Sequence, residues 1–246
     1  MSNRMEAFAV SFQGPRPYQE DEYVLKVEGD TAVGAIFDGH GGGEVSKKAK
    51  EMFPTLINPG DVLSIQDQFQ NAFKQIHAAT QDERSGAVAV AFMAHKARIF
   101  VSNVGDAEAV VVMGNSSSLI TKKHGLGDPE EAKRVVVNGG RIHGPHAYLP
   151  NAGLGLMPTR SLGDHIFPWI IQDAYHHGLV TPEPYYLVVA SDGLWDVVKH
   201  KDVPSYCLGQ TPKQACERLA KTAAALSHDN VTIIVVKYSP LRARED

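Results

Sequence analysis

The chain has 246 residues, of which 43% are hydrophobic, and a formal net charge of −4. This length is enough to bury a full hydrophobic core, and the mildly acidic balance offers no basic footprint for nucleic acid. No apolar run approaches the about 20 residues of a membrane span, and the N-terminal residues lack the apolar stretch of a signal peptide. We therefore expect an intracellular protein, cytoplasmic or nuclear, that contacts neither membranes nor nucleic acids.

Eight runs rich in apolar and β-branched residues predict strands. Many of them are apolar over their whole length, which indicates that both faces are covered. The predicted strands are 7–12, 22–27, 31–37, 87–94, 98–104, 107–113, 186–190 and 231–238.

Helical patterns fill the longer intervals between these strands. Helices are predicted at 44–56 and 63–84, and another starts at Asp128-Pro129 and stops at the glycine pair 139–140. A last helix opens at 211–212, and its apolar stripe consists of Ala215, Leu219, Ala223 and Leu226. Cys207 and Cys216 fall in this helical region, so we expect two buried thiols rather than a disulfide.

The connections between neighbouring strands are short. Residues 96–97 lie between two of the runs, and residues 105–106 precede the next. Such gaps suit antiparallel hairpins, because a parallel crossover needs a dozen or more residues. Hairpin clusters separated by long helices predict antiparallel sheets flanked by helices, and the absence of a linker or repeat predicts one domain over residues 1–246.

Four aspartates share a position at the end of a short apolar run: Asp38, Asp106, Asp192 and Asp229. A β-branched strand is stabilised by burial, whereas a carboxylate resists burial unless it is paired. Several such strand ends at one rim would form an oxygen-rich cluster that repels itself unless it holds cations. Oxygen ligands favour Mg²⁺, Mn²⁺ or Ca²⁺ over zinc, so the sequence predicts an enzyme that uses a hard metal ion.

Five short segments surround these aspartates. The sharpest is 36–42, Ile-Phe-Asp-Gly-His-Gly-Gly, and the others are 16–21 (Arg-Pro-Tyr-Gln-Glu-Asp), 158–164 (Pro-Thr-Arg-Ser-Leu-Gly-Asp), 190–196 (Ala-Ser-Asp-Gly-Leu-Trp-Asp) and 229–230 (Asp-Asn). Together and in this order they closely resemble the metal-dependent protein serine/threonine phosphatases of the type 2C, or PPM, family. The resemblance runs from about Arg16 to Val236, nearly the whole chain.

The resemblance implies a fold and a set of metal ligands. The implied fold is α+β, a four-layer αββα sandwich of two antiparallel sheets flanked by helices, with the metal cluster at one edge. The implied cofactors are two Mg²⁺ or Mn²⁺ ions, with Asp38 bridging both and Gly39 offering its carbonyl. The remaining matched ligands are Glu20, adjoined by Asp21, then Asp192 and Asp229, while Asp106 and Asp196 join Asp192 at a third, weaker metal site.

The resemblance also implies the reaction. Phosphate-ester hydrolysis is very slow without a catalyst, so charge stabilisation must be large. Two ions about 3.5–4 Å apart would share a water that attacks phosphorus directly, without a phosphoenzyme. Arg16 would grip the substrate phosphate, and His40 would protonate the leaving alkoxide as general acid. The implied activity is hydrolysis of phosphoserine and phosphothreonine on protein substrates by a monomer.

Three positions depart from the family pattern. Val88 stands where a hydroxyl residue is common. The family's Asp-His-Lys-Pro is replaced at 123–126 by Lys-His-Gly-Leu, which predicts a differently shaped flap near the substrate. Residues 158–161 read Pro-Thr-Arg-Ser instead of Val-Ser-Arg-Ala.

Other interpretations stay open beside this one. Arg160 suits a salt bridge as well as a functional role, and Asp106 and Asp196 could serve as turn residues. The pair His176-His177 suggests a metal-binding pair, but a solvated loop fits it better. For the whole chain, a catalytically weak regulatory or phosphoprotein-binding domain is the main alternative. A two-metal nuclease would use similar carboxylates, but the acidic balance disfavours it.

Overall fold

The middle of the molecule consists of two antiparallel sheets. The computed structural model describes residues 4–150 and 152–240, so the predictions about the N-terminal residues and the outer ends of the domain fall partly outside the described residues. The strands are β1 (Arg4–Phe12), β2 (Glu22–Glu28), β3 (Thr31–His40), β4 (Gly86–His95), β5 (Arg98–Val104), β6 (Glu108–Met113), β7 (Ser116–Leu119), β8 (Arg141–His143), β9 (His146–Tyr148), β10 (Gly155–Leu156), β11 (Leu162–Gly163), β12 (Tyr175–Val180), β13 (Tyr185–Ala190) and β14 (Val231–Ser239).

Helices flank the sheets on both sides. They are α1 (Glu44–Leu56), α2 (Ile65–Ala78), α3 (Pro129–Val137), α4 (Asp192–Trp195), α5 (Val203–Cys207) and α6 (Pro212–Leu226). None of the described helices is long and apolar enough to cross a membrane.

The first sheet has the order β1-β14-β13-β6-β7, and the second has the order β12-β5-β4-β3-β2, with β11 added to β4. Apolar side chains from both sheets meet in a buried layer that includes Ile36, Phe92, Leu187 and Ile234. Helices α1 and α2 cover the outer face of the second sheet, while α5 and α6 cover the first. The predicted four-layer αββα sandwich is therefore confirmed.

The predicted strands and helices all form, with shifted ends. Helix α2 begins at Ile65 and ends at Ala78, inside the predicted range 63–84, because the Thr80 hydroxyl bonds the carbonyls of Ile76 and His77 and closes the last turn. The two cysteines are free and buried, as predicted. Leu226, predicted on the apolar stripe of α6, is instead 56% exposed, since it is the last residue of that helix.

The prediction of a loop at His176-His177 was wrong. Both residues lie in β12, which pairs with β5 over Tyr175–Val180. Ser102 Oγ and His176 Nδ1 are 2.7 Å apart across that pairing. Polar residues can form an edge strand when a neighbouring strand offers its backbone for hydrogen bonding. The local sequence of 175–180 does not show that such a neighbouring strand is present.

The predicted hairpin at residues 105–106 is also corrected. β5 and β6 belong to different sheets, so Gly105 and Asp106 carry the chain from one sheet to the other. Gly105 has a φ of 88°, and a Cβ there would collide with the Val88 side chain. This close crossing brings Asp106 to the edge where the two sheets meet.

Candidate metal centre

An acidic cleft of about 240 Å³ opens at one edge of the sandwich. Several of the predicted site residues line it: Arg16, Glu20, Asp38, Gly39, His40, Asp106, Asp192 and Asp229. Each comes from the end of a strand or a turn next to one. The structure therefore brings together, from both sheets, residues that lie more than 200 positions apart in the chain.

The antiparallel register explains why these residues share an edge. Asp38 lies near the end of β3, opposite Val88 of β4. Asp192 lies two residues after the end of β13 and is the first residue of α4, while Asp229 lies two residues before β14. Because β13 and β14 are antiparallel neighbours, the end of one and the start of the other coincide.

Glu20 is held by the backbone around it. Its Oε1 accepts from the N–H of Gly42 at 2.7 Å, and its own N–H donates to Asn230 Oδ1 at 2.8 Å. Its carbonyl accepts from Ser46 Oγ at 2.5 Å. A Cβ at Gly39 would collide with that carbonyl and hydroxyl, so glycine is required at the position whose own carbonyl was predicted as a ligand.

Asp21 lies beneath the cleft and is 3% exposed. Its Oδ2 accepts from Ser191 Oγ at 2.9 Å, whereas its Oδ1 is buried without a hydrogen-bond partner. Burial raises the pKa of Asp21 to about 6, against hydrogen bonds from Thr232 and Ser191 that lower it.

The pKa values of three further carboxyl groups of the cleft are shifted in the same direction as that of Asp21. Burial, followed by repulsion from the charges of neighbouring aspartates, raises the pKa of Asp38 well above its usual range. Burial and repulsion from Asp106 raise the pKa of Asp192 to about 7. Burial also raises the pKa of Asp106, although Lys123 opposes the shift. These shifts describe a set of carboxylates whose charge is incompletely balanced by the protein.

Two cationic side chains reach the cleft. Arg16 Nη2 lies 2.6 Å from Asp229 Oδ2, and its Nε donates to the carbonyl of His228 at 3.3 Å. Lys123 Nζ lies 3.6 Å from Asp106 Oδ2. The Arg16 side chain stays 52% exposed, so the guanidinium remains accessible at the mouth of the cleft.

His40 is paired with a carboxylate that the sequence interpretation had given no role. Its Nε2 lies 2.7 Å from Oδ2 of Asp164. Burial alone lowers the pKa of His40, but the charge and hydrogen bond of Asp164 outweigh burial and raise the pKa. His40 thus retains its proton to a higher pH than an isolated imidazole.

A protein-family comparison assigns the sequence. The family model described as protein phosphatase 2C matches residues 9–231. The chain belongs to the protein phosphatase 2C family.

Individual relatives agree with this assignment. The chain is 30% identical over 250 residues to probable protein phosphatase 2C 55 of Oryza sativa subsp. japonica, an alignment that covers 93% of this chain and 64% of the rice protein. The chain thus spans less than two thirds of the length of that relative.

Solved structures of serine/threonine phosphatases share the fold. A serine-threonine phosphatase 2C from Toxoplasma gondii superimposes with a TM-score of 0.76 at 20% identity, covering 96% of this chain and 95% of that one. The catalytic domain of the serine/threonine protein phosphatase PstP, solved in complex with two manganese ions, gives a TM-score of 0.69 at 20% identity, covering 95% and 98%.

The donor set of this protein phosphatase 2C chain fits hard divalent ions. The donors are oxygens, the pKa values of four carboxyl groups are raised, and Asp21 Oδ1 is buried without a partner. Among the described residues no group of three or more His, Cys, Asp or Glu side chains is already arranged to hold an ion.

Two predicted residues lie away from the centre of the cleft. Asp196 is exposed and follows Asp192 by one helical turn, its N–H donating to the Asp192 carbonyl at 2.9 Å. Arg160 forms a salt bridge, in which its Nη2 lies 2.5 Å from Glu131 Oε1. Its Nη1 donates to the carbonyl of Asp173.

The sequence interpretation missed Asp164 and Lys123. Asp164 stood inside a family-like segment, and the glycine before it was the available signal of a tight turn. Lys123 replaces the aspartate of the usual Asp-His-Lys-Pro segment, and that exchange of a negative for a positive charge was the signal.

Proposed function

We propose that this chain hydrolyses phosphoserine and phosphothreonine in proteins, using two Mg²⁺ or Mn²⁺ ions. The observation that carries the proposal is the acidic cleft, where carboxyl groups with raised pKa values lie beside His40 and Arg16. Its substrates, its monomeric state and its cytoplasmic or nuclear location belong to this proposal as well.

The ions would be held by the oxygen donors of the cleft. We assign Asp38 to both ions, with the carbonyl of Gly39, Asp192, Asp229 and Glu20 as further ligands and Asp21 beneath them. When bound, such a pair of ions supplies an acidified water as nucleophile and offsets the charge of the phosphate.

Arg16 would bind the phosphate at the mouth of the cleft. Its guanidinium is half-exposed and already hydrogen-bonded to Asp229, which fixes its position beside the carboxylates. A guanidinium can donate two parallel hydrogen bonds to phosphate oxygens. The pairing with Asp229 therefore orients Arg16 toward an incoming phosphate and keeps it next to the reacting group.

His40 would act on the leaving oxygen. Its Nε2 is paired with Asp164, so the proton delivered to the leaving group would come from Nδ1. A serine or threonine alkoxide is a poor leaving group, and general-acid catalysis contributes typically 10²–10⁴-fold to such a step.

The test is hydrolysis by the purified chain of phosphopeptide and p-nitrophenyl phosphate. We expect activity with millimolar Mn²⁺ or Mg²⁺, its loss in EDTA and no preference for zinc. Full activity in a chelated sample would contradict the metal assignment. Phosphopeptide binding without turnover at saturating Mn²⁺ would favour the regulatory alternative, and turnover of an oligonucleotide instead would favour a nuclease.

A further inference from the structure

The outer side of the acidic cleft carries a lysine. The Lys123 ammonium lies 3.6 Å from Oδ2 of Asp106, whose side chain is 11% exposed. Three further carboxylates, Glu108, Asp192 and Asp196, are near enough for their charges to act on Lys123. Together with Asp106, Asp192 and Asp196 make up the three residues that the family resemblance assigns to a third, weaker metal ion.

The backbone on both sides of Lys123 is fixed. The side-chain amide of Asn103 bonds the N–H and the carbonyl of Lys122, at 3.2 and 2.8 Å. The N–H of His124 donates to the carbonyl of Gly105 at 2.9 Å, and the N–H of Gly105 donates to His124 Nδ1 at 3.2 Å. These hydrogen bonds therefore hold the backbone of Lys123 beside the connection between the two sheets that contains Asp106.

The neighbouring lysine does not share this position. Lys122 Nζ lies 2.7 Å from Asp128 Oδ2, at the start of α3. Of two adjacent lysines, only Lys123 is paired with a carboxylate of the cleft.

The Lys123 ammonium and a divalent ion would compete for the same oxygen of Asp106. Mg²⁺ binds its oxygen ligands at about 2.0–2.1 Å and keeps near-ideal octahedral geometry. An ammonium 3.6 Å from that oxygen occupies the approach and repels a second cation at short range. Lysine remains protonated at neutral pH because its ordinary pKa is about 10.4.

We propose that Lys123 is a built-in cation that takes the place of the third metal ion, so that the loaded protein holds two divalent ions and not three. This inference rests on the proposed two-metal function and revises the third site expected at Asp106, Asp192 and Asp196. The lysine balances the outer carboxylates at every metal concentration, whereas a weakly bound ion would do so only when metal is abundant.

The experiment counts bound Mn²⁺ by equilibrium dialysis with the intact chain, at concentrations up to several times that needed to fill the tight sites. Three proteins are compared: wild type, Lys123→Gln and the matched control Lys122→Gln. We expect two ions in wild type and in the control, and a third, weaker ion in Lys123→Gln. Adding Asp106→Asn to Lys123→Gln should weaken that third ion by about tenfold or more, which localises it.

The outcomes separate the inference from the proposed function. Three ions in wild type, or two in Lys123→Gln with unchanged affinities, would overturn the inference and leave the two-metal function standing. No bound Mn²⁺ in wild type would overturn both. A loss of phosphopeptide affinity in Lys123→Gln with the ion count still two would show that Lys123 contacts substrate instead, and would also overturn it.

Discussion

The imidazole of His40 is fixed by Asp164, whose Oδ2 lies 2.7 Å from Nε2. The same oxygen accepts from Ser161 Oγ at 2.5 Å. Asp164 has a φ of 55°, uncommon for a residue other than glycine, and Gly86 leaves the space for its carboxylate because a Cβ there would collide with it. A strained backbone position that is held by its surroundings and touches a titratable side chain is typical of functional sites.

His40→Ala should reveal the proton donor through the chemistry of the leaving group. p-Nitrophenolate leaves readily, whereas a serine alkoxide needs a proton. We expect the loss of phosphopeptide turnover to exceed the loss of p-nitrophenyl phosphate turnover by more than about tenfold, measured as kcat at saturating Mn²⁺. Asp164→Asn should show the same selectivity to a smaller degree. Equal losses on the two substrates would mean that His40 has only a structural or metal-site role.

Asp38→Asn should remove the ligand that we assign to both ions. We expect turnover to fall by several orders of magnitude while circular dichroism shows a retained fold. The metal-free variant should melt at a higher temperature than metal-free wild type, because one of several mutually repelling carboxylates is gone. A variant that retains more than about a tenth of wild-type kcat at saturating metal would count decisively against the assignment.

Asp192→Asn should change the pH dependence of stability in the chelated protein. The folded pKa of Asp192 is about 7, above the about 3.9 of an unfolded chain. Below the unfolded pKa the carboxyl group is neutral and does not destabilise the folded state. As pH rises, ionisation of Asp192 lowers the free energy of unfolding, and this destabilisation is complete above the folded pKa.

The asparagine variant lacks that destabilisation. Its free energy of unfolding in EDTA, relative to wild type, should increase between about pH 4 and pH 7 and level off above. Urea denaturation at three pH values measures this difference, and saturating Mn²⁺ should reverse its sign at neutral pH. A difference that does not vary with pH would contradict the raised pKa.

Glu131→Gln tests a buried network of hydrogen bonds and ion pairs that lies beside the cleft. Glu131 itself does not line the cleft. The Glu131 side chain is 4% exposed and accepts from Arg134, Arg160 and Thr159 at 2.5–2.6 Å. Burial raises its pKa, but these hydrogen bonds outweigh burial and lower the pKa to about 2. Removing the charge leaves two partly buried guanidinium groups unpaired.

We expect this change to lower the free energy of unfolding by about 3–5 kcal/mol. Glu130→Gln is the matched control, because Glu130 is exposed on the same helix and should change stability by less than about 0.5 kcal/mol. The count of bound Mn²⁺ should stay the same in both variants. Equal unfolding curves for the two variants would show that the network contributes nothing.

The elements predictable from sequence are those whose own residues demand burial. β14 and β13 are buried along nearly their whole length, and their apolar runs predict them directly. β7, with the sequence Ser-Ser-Ser-Leu, and β12 exist because a neighbouring strand offers backbone partners, which no local pattern records. The double-sheet sandwich followed from the resemblance, not from periodicity.

The candidate site divides in the same way. Asp38, Asp192 and Asp229 could be predicted because each carboxylate ends an apolar run. Asp164 contacts His40 across 124 positions of sequence, and Lys123 meets Asp106 only because Gly105 lets the chain cross between sheets. Such pairings depend on the packing of the sheets, so the sequence supplied the residue types but not their partners.

The position of β14 has a consequence for synthesis of the protein. β14 lies between β1 and β13 and pairs with both, and Asp229 lies two residues before it in the chain. A chain leaving the ribosome folds from its N-terminus, but here the first strand must wait for the last one before its sheet can close. In a nascent chain, the edge of β1 that later pairs with β14 therefore stays exposed. One wall of the acidic cleft is also missing until almost all of the described chain has emerged. The proposed metal site is therefore complete only after translation of this segment, and incomplete chains that stop before β14 leave a sheet edge open to aggregation.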